Sequence, residues 1–229
     1  MRWVVLEKLD EVLNSFDAPT GTIAILGGTS KDPEVELMKK HFPDSKITYL
    51  GIENDSNDTP FLYLDLNKSI DFKDTFDLVV CSQVLEHIWN FDVAVNLIRE
   101  LVPVSGHIWI NCPTSNMAHG SPEYYSAGYT PSYLEKNFEK LGFQTLSSGC
   151  YRSQRYYKPT HLLRLWSTRK EYNHPILGYR ISGRITLGKV KEMVFRMPGR
   201  LTMTTWNKDV REDIDFATET YYFGIKAMK

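Results

Sequence analysis

The chain has 229 residues, of which 42% are hydrophobic and 24% charged, and its formal net charge at pH 7 is −1. This length fits one elaborated domain or two small ones, and the hydrophobic fraction is too high for a disordered chain. No apolar run approaches the roughly 18 residues that a membrane-spanning helix needs, and the amino-terminal stretch lacks the pattern of a signal peptide.

Helices and strands alternate along most of the chain. The apolar spacing predicts helices at 2–16, 32–42, 91–102 and 130–143, and strands at 22–26, 47–52, 61–64, 76–81, 107–112 and 144–150. Asp32 and Thr130 are predicted helix caps, each followed by proline at the first helical position. A β-rich stretch at 217–228 predicts one more strand, with no helix after it. The alternation predicts an α/β fold with a Rossmann-like, doubly wound and mostly parallel sheet.

The three cysteines fall in predicted strands or at their ends. Cys81, Cys112 and Cys150 are odd in number and form no CxxC pair, so we predict buried free thiols. Such thiols are typical of a reducing compartment, and we therefore expect a cytoplasmic protein. No clustered metal-ligand spacing of His, Asp and Glu occurs, so we predict that the protein binds no metal.

Charge is divided unevenly along the sequence. Residues 152–214 hold 14 lysines and arginines against 5 aspartates and glutamates, a net charge of +9, and the rest of the chain carries −10. We interpret the chain as one domain, 1–229, in which a basic insertion at 152–214 separates the last two strands. This asymmetry indicates that the insertion meets an anionic partner.

The segment AILGGTSKDPEV, at 24–35, has the layout of a strand end, a glycine turn and a helix start. Gly27 and Gly28 permit a tight turn and a close approach of a ligand to the backbone, and Thr29 adds a hydrogen-bond donor. An ordinary strand-to-helix turn has the same layout, because two adjacent glycines are by themselves a weak signal.

Acids follow the next two strands at their carboxyl ends. Glu53 comes 25 residues after Gly28, and a carboxylate at that place can accept hydrogen bonds from both hydroxyls of a ribose. Asp65, in FLYLD, can accept a hydrogen bond from an exocyclic amine such as adenine N6. The alternatives are a solvated loop acid for Glu53 and a turn or helix cap for Asp65.

Another polar cluster follows the strand at 76–81, in CSQVLEH. It contains Ser82, Gln83, Glu86 and His87. The last two residues place an acid beside an imidazole that can act as a base near neutral pH. The alternative is that these side chains only tie down the loop.

The stretch FDLVVCSQVLEHIWNFDVAVNLIRELVPVSGHIWINCP, at 76–113, resembles the class I S-adenosylmethionine-dependent methyltransferases, especially their small glycan and natural-product enzymes. It matches that family's order of strand four, a VLEH turn, a helix, a proline-glycine turn and strand five. The resemblance covers 20–150 and 216–229, where ATETYYFGIKAM corresponds to the family's late antiparallel strand.

The resemblance implies S-adenosylmethionine as the cofactor. By this likeness the glycine loop would face the methionine part, Glu53 would hold the ribose and Asp65 the adenine. The turn at 82–87, which includes Gln83 and Glu86, would lie beside the methionine moiety and the substrate.

The chain departs from the family pattern at one place. The family usually carries an acid just before its first glycine, and here Ala24, Ile25 and Leu26 stand there. We expect either weaker cofactor binding or another acid that takes over this role.

Acceptor contacts in this family follow strand five, which corresponds to GSPEYYSAGYTPSYL at 120–134. Tyr124, Tyr125 and Tyr129 offer flat apolar faces with hydroxyl tips, which suit sugars or aromatic acceptors. His119 is a second candidate base beside His87. A packed surface loop is the alternative for the tyrosines.

The basic insertion is predicted to be a lid over the acceptor. Arg152 and Arg155 begin a run of cations interleaved with aromatic residues, and arginine forks suit phosphate or carboxylate. At 184–205 cations alternate with apolar residues, which would suit peripheral contact with an anionic membrane surface. We expect a phosphate-bearing sugar or lipid-linked glycan. Nucleic acid, a protein partner and an ordinary pair of charged helices are the alternatives.

These features predict methyl transfer from S-adenosylmethionine to a hydroxyl of a sugar or sugar-like acceptor in glycan biosynthesis, with His87 or His119 taking the proton. The alternatives are an RNA methyltransferase and a non-catalytic interaction module, which the missing acid before Gly27 would suit. A nicotinamide-dependent oxidoreductase would carry GxGxxG after its first strand, and this chain does not.

Overall fold

The structure is a computed structural model that describes residues 3–16, 21–54, 60–68, 72–114, 123–153, 169–173, 180–184 and 217–228. Its contacts divide the chain into two compact units. One unit comprises residues 1–150 together with 219–229, and the other comprises residues 151–218.

The elements alternate as the sequence predicts. In chain order they are α1 (Trp3–Ser15), β1 (Thr22–Leu26), α2 (Pro33–His41), β2 (Lys46–Gly51), β3 (Phe61–Tyr63), β4 (Leu78–Ser82), a short 3-10 helix (Leu85–His87), α3 (Phe91–Glu100), β5 (His107–Pro113), α4 (Pro131–Lys140), β6 (Phe143–Ser153), β7 (Arg169–Asn173), β8 (Arg180–Arg184) and β9 (Ala217–Lys226).

Seven strands form one sheet in the order β3-β2-β1-β4-β5-β9-β6. The pairs β1–β2, β2–β3, β1–β4 and β4–β5 are parallel, and β9 runs antiparallel to β5. This confirms the predicted Rossmann-like sheet with its late antiparallel strand. The chain order reverses between β1 and β4, so the carboxyl ends of these strands flank the crevice where such sheets bind ligands.

The core lies on both faces of the central strands. Every residue of β5 is buried, as is typical of a strand covered by helices on both sides. Helix α3 packs on the sheet through Ala94, Val95, Leu97 and Ile98. In α4, Phe138 stacks on Tyr222 of β9 with ring centroids 5.0 Å apart.

The cysteine prediction is confirmed in its structural part. Cys81, Cys112 and Cys150 are buried, and none of them forms a disulfide. Burial raises the pKa of the Cys81 and Cys112 thiols, which keeps both protonated at neutral pH.

Helices α1 and α2 are joined by an acid between two basic side chains. Asp10 Oδ1 lies 2.6 Å from His41 Nε2 and 3.1 Å from Lys40 Nζ. The hydrogen bond from His41 is the main reason why the pKa of Asp10 lies below its ordinary value. Helix α2 is thereby fixed at the end opposite its glycine loop.

The second unit contains an antiparallel hairpin of β7 and β8, in which Tyr172 pairs with Ile181. The alternative of a charged helix pair is therefore wrong for these two stretches. Tyrosine and isoleucine favour strands, and the intervening sequence contains Pro175 and Gly178, which favour a turn. After its first residue, the segment 184–205 lies outside the described residues. In the part of the chain that the structure describes, no helix is long and apolar enough to cross a membrane.

Candidate ligand site at the carboxyl edge of the sheet

The loop between β1 and α2 is built around two glycines that have no room for a side chain. Gly27 has φ +65°, and a Cβ on it would lie 2.8 Å from Val84 Cγ2. A Cβ on Gly28 would lie 2.7 Å from Ile25 Cγ2. Both distances are shorter than any ordinary van der Waals contact, so the tight turn requires glycine at both places.

An acid beyond the glycines organises this loop. Asp32 Oδ2 accepts hydrogen bonds from Thr29 N at 2.6 Å and from Thr29 Oγ1 at 3.3 Å. Asp32 precedes α2 as predicted, but its side chain does not cap the helix. The predicted cap position is therefore confirmed, and the carboxylate bonds Thr29 instead of the first turn of the helix. Asp32 thus fixes Thr29 within the loop by two hydrogen bonds.

A second acid lies buried in the first turn of α2, the helix that follows the loop. Glu34, the second residue of α2, is only 3% exposed. Its Oε2 atom has no hydrogen-bond partner among the residues that the structure describes. Burial raises the pKa of Glu34 to about 7, so this carboxyl group is partly protonated at neutral pH.

Glu53 lies close to the glycine loop and is exposed. It follows the end of β2 by two residues, after Gly51. A Cβ built on Gly51 would have both Gly27 Cα and the Glu53 carbonyl oxygen as neighbours at 3.9 Å. The sheet thus brings together the two segments that the sequence assigns to one ligand.

Asp65 is engaged within its own turn. Its Oδ1 accepts from Asn67 N at 3.0 Å, and its Oδ2 pairs with Lys68 Nζ at 2.9 Å. The Lys68 ammonium is the main cause that lowers the pKa of the Asp65 carboxyl. This geometry is that of the predicted alternative, a turn cap. Asn67 Oδ1 in turn accepts from Trp89 N at 3.0 Å, so the turn is tied to the segment before α3.

The end of β4 forms the other wall of the crevice. Val84 contacts the glycine loop, as described above. Ser82 Oγ is buried and finds no hydrogen-bond partner in the described part of the chain. A buried hydroxyl without a partner is costly, and its position at the carboxyl edge suits a ligand that would bond it.

His87 is held in one tautomer. Its Nδ1 makes a short hydrogen bond with the Glu123 carbonyl oxygen, and a carbonyl only accepts, so Nδ1 carries the proton. In the neutral ring Nε2 is then the nitrogen that can take a proton. It lies 4.0 Å from Oε1 of Glu86, which is fully buried.

The tyrosine loop docks onto this turn. The Glu86 carbonyl accepts from Tyr125 N at 2.9 Å and from Ser126 N at 3.2 Å. Tyr129 donates its hydroxyl to the Leu85 carbonyl at 3.2 Å and stacks on Tyr133, as the packed-loop alternative would have it. Tyr125 is 53% exposed and still offers a face to a ligand. Tyr124 is half-buried, with its ring edge against His87.

A buried amide and carboxylate network was missed by the sequence analysis. Gln83 Nε2 donates to Asn111 Oδ1 at 2.7 Å and to Glu219 Oε2 at 3.1 Å. Asn111 and Glu219 are both fully buried. The signal available in the sequence was a polar residue inside a predicted strand, namely Asn111 in HIWINC and Glu219 in ATETYYF.

Part of the predicted site is outside the described residues. This holds for His119 and Arg155, and for the side chain of Arg152, whose backbone belongs to β6. Within the described ranges, no three His, Cys, Asp or Glu side chains are grouped so that they could hold a metal ion.

Comparison with known proteins finds no matching family model and no matching curated protein. Solved structures do match. A SAM-dependent methyltransferase from Archaeoglobus fulgidus is 17% identical with a TM-score of 0.56, covering 99% of this chain and 95% of that one. Coclaurine N-methyltransferase, bound to N-methylheliamine and S-adenosylhomocysteine, is 10% identical with a TM-score of 0.54, covering 97% and 70%. The cyclase SpnF is 11% identical with a TM-score of 0.54, covering 97% and 81%.

These likenesses show that the chain has the fold of the class I S-adenosylmethionine-dependent methyltransferases, and they confirm the resemblance seen in its sequence. The fold hosts more than one chemistry, since one of these neighbours is a cyclase. Function therefore has to be argued from the site.

Proposed function

We propose that this protein is a methyltransferase that binds S-adenosylmethionine at the carboxyl edge between β1 and β4. The observation that best supports this proposal is the crevice itself. Gly27 has no room there for a side chain, and Ser82 Oγ lies buried without a hydrogen-bond partner among the described residues. Both features fit a ligand that approaches the backbone closely and makes hydrogen bonds.

The residues around the crevice suit the parts of this cofactor. Gly27, Gly28 and Thr29 would hold the methionine part, and the exposed Glu53 carboxylate would accept from the ribose hydroxyls. Asp65 would meet the adenine only by exchanging a hydrogen bond that it now makes within its turn. We therefore assign more of the binding to Glu53 than to Asp65.

The chemistry divides between the cofactor and the chain. S-adenosylmethionine supplies an electrophilic methyl group on a sulfonium centre. The chain orients the acceptor beside the turn at 82–87, and His87 Nε2 takes the proton from the acceptor as the base. The buried side chain of Glu86 lies beside this base, with Oε1 4.0 Å from His87 Nε2.

For the acceptor, we propose a hydroxyl of a sugar or sugar-like molecule in glycan biosynthesis, in the cytoplasm. Tyr125 offers it an exposed aromatic face, and Arg152 and Arg155 of the basic insertion suit a phosphate on it. Membrane contact through 184–205 would bring the enzyme to a lipid-linked acceptor.

An amine acceptor is the second candidate, and one observation favours it. Glu86 and Glu219 lie fully buried at this edge. The neighbouring stretches 82–87, 111–114 and 123–130 contain no lysine or arginine. A negative environment of this kind stabilises an ammonium group. One structural neighbour, coclaurine N-methyltransferase, is by its name an enzyme that methylates nitrogen.

The test is transfer of a labelled methyl group from S-adenosylmethionine to separate panels of neutral sugars, sugar phosphates, primary amines and RNA. We expect label in a sugar or sugar phosphate. With the accepted substrate, His87→Ala should lower kcat by about 10²–10⁴-fold, because general-base catalysis contributes that much.

His41→Ala is the matched control, since that histidine joins α1 to α2, and its kcat should stay within about twofold of the wild type. Label in the amine panel alone would replace the sugar acceptor by the second candidate. Label in RNA alone would favour the RNA methyltransferase. Absence of label in every panel would support the non-catalytic interaction module. A wild-type kcat in His87→Ala would show that His87 is not the base.

A further inference from the structure

We propose that Glu219 and Asn111 are positioning residues that turn the side-chain carbonyl of Gln83 toward the cofactor, where Oε1 accepts a hydrogen bond from the methionine ammonium. This inference rests on the proposed function. It assigns a ligand-binding role to the late strand β9, which supplies Glu219 to the edge of the sheet.

The backbone of Gln83 is held in an unusual conformation. Its φ is +58°, in the left-handed region that residues with a side chain rarely adopt. Its N–H donates to the Asn111 carbonyl at 2.8 Å, which fixes the turn against β5. Such conformations persist only where the surroundings determine them, and they are frequent at ligand sites.

The hydrogen bonds of Asn111 and Glu219 fix the orientation of the Gln83 side-chain amide. Asn111 Nδ2 donates to the Thr220 carbonyl at 2.9 Å, so Asn111 Oδ1 is the acceptor that faces Gln83. The Gln83 amide nitrogen then uses both of its hydrogens, one toward Asn111 and one toward Glu219. Its carbonyl oxygen Oε1 makes no hydrogen bond within the described residues.

The position of Gln83 explains which ligand group it would meet. Its two partners lie on β5 and β9, on one side of β4, and the glycine loop lies on the other side, next to β1. Val84, the next residue, contacts Gly27. The Gln83 turn therefore stands beside the loop that would hold the methionine part.

A methionine ammonium needs a hydrogen-bond acceptor in this crevice. The residues before the first glycine, at 24–26, are apolar and offer no side-chain acceptor, and Asp32 is engaged with Thr29. An amide carbonyl that cannot turn away supplies the missing acceptor without adding a charge. The fully buried Glu219 side chain holds that amide in place by accepting one of its hydrogens.

The experiment compares two ligands that differ only in the methionine end. S-adenosylhomocysteine carries the ammonium and carboxylate, whereas methylthioadenosine keeps the adenosine and the sulfur and lacks both. Calorimetric titration of Gln83→Leu should show about 10- to 100-fold weaker binding of S-adenosylhomocysteine, the range for one hydrogen bond to a charged group. Binding of methylthioadenosine should stay within about twofold of the wild type.

Two variants of Glu219 test the positioning role. Glu219→Ala should weaken the binding of S-adenosylhomocysteine but not that of methylthioadenosine, because the Gln83 amide is then able to rotate. Glu219→Gln keeps an oxygen that can accept from Gln83, and it should restore most of the affinity. Gln144→Leu, at an exposed position on β6, is the control and should change neither titration. Unchanged binding of methylthioadenosine shows that a variant is folded. If Glu219→Ala does not fold, Asn111→Ala, which removes the other partner of the Gln83 amide, tests the positioning role by the same two titrations.

The outcomes separate this inference from the proposed function. If the wild type binds both ligands and the variants weaken both equally, or weaken neither, the positioning role is overturned and the proposed function stands. If the folded wild type binds neither ligand, the proposed function fails and this inference fails with it.

Discussion

Gly27 lies where β1 passes into the loop in front of α2, and the space for its side chain is taken by Val84. Valine is branched at Cβ and cannot rotate away easily, so a methyl group at Gly27 would push the turn after β4. We expect Gly27→Ala to lower the free energy of unfolding by about 2–4 kcal/mol, from the left-handed backbone and the overpacking together. The variant should also bind S-adenosylhomocysteine more weakly. Urea denaturation and calorimetry measure the two effects.

Gly142 provides a matched control at the end of α4. Its φ is +90°, and a Cβ on it would have no neighbour within 4 Å. Gly142→Ala should therefore lower the free energy of unfolding only by the strain of a left-handed backbone, about 1–2 kcal/mol, and it should leave ligand affinity unchanged. Equal losses in the two variants, in stability and in binding, would contradict the role given to the contact with Val84.

Sequence reasoning selected candidate site residues by their place at or after the end of an apolar strand, as with Glu53, Ser82 and His87. It could not connect Gln83 with Asn111 and Glu219, because these partners are 28 and 136 positions away. Such pairs are set by which strands become neighbours in the sheet, and no local spacing encodes that.

Helix α2 carries the clearest pH-dependent feature of the fold. The pKa of Glu34 is about 7 in the folded protein against an ordinary 4.5, because burial disfavours the charged form. Between these two values the unfolded chain has lost this proton and the folded chain still holds it. The stability that Glu34 contributes is therefore complete below pH 4.5 and is lost as the pH rises to about 7.

Glu34→Gln removes this titration. Relative to the wild type, the variant should gain stability as the pH rises, by up to about 3 kcal/mol at pH 8, with little difference near pH 4.5. Urea denaturation at several pH values measures it. Glu36→Gln, which changes an exposed side chain of the same helix, is the control. Its free energy of unfolding should vary with pH in the same way as that of the wild type. Parallel curves for Glu34→Gln would show that the buried carboxyl does not titrate in this range.

Elements were predictable where a buried apolar run has clear ends. The first strand has the predicted bounds, 22–26. The fourth begins at Leu78, two residues later than predicted, because Asp77 uses its carboxylate to accept from the backbone of Gly21 and Thr22. The hairpin of β7 and β8 was missed because frequent charges in RKEYN and RISGR hide the strand pattern.

For the whole molecule, the order of elements and the VLEH turn were enough to predict the sheet and its closing strand. They do not determine the acceptor, because that depends on loops and on an insertion whose sequence shows charge rather than structure. The second compact unit, 151–218, contains the basic stretch of net charge +9. Its role as a lid over an anionic acceptor remains a prediction.

We propose above all that the carboxyl edge of this sheet binds S-adenosylmethionine. The most direct test is calorimetric titration of the full chain with S-adenosylmethionine and S-adenosylhomocysteine, for the wild type, Glu53→Ala and the exposed control Glu36→Ala. We predict micromolar binding to the wild type and the control, and about 10- to 100-fold weaker binding to Glu53→Ala, which loses the acceptor for the ribose hydroxyls. Absence of heat with both ligands, on folded wild-type protein, would contradict it.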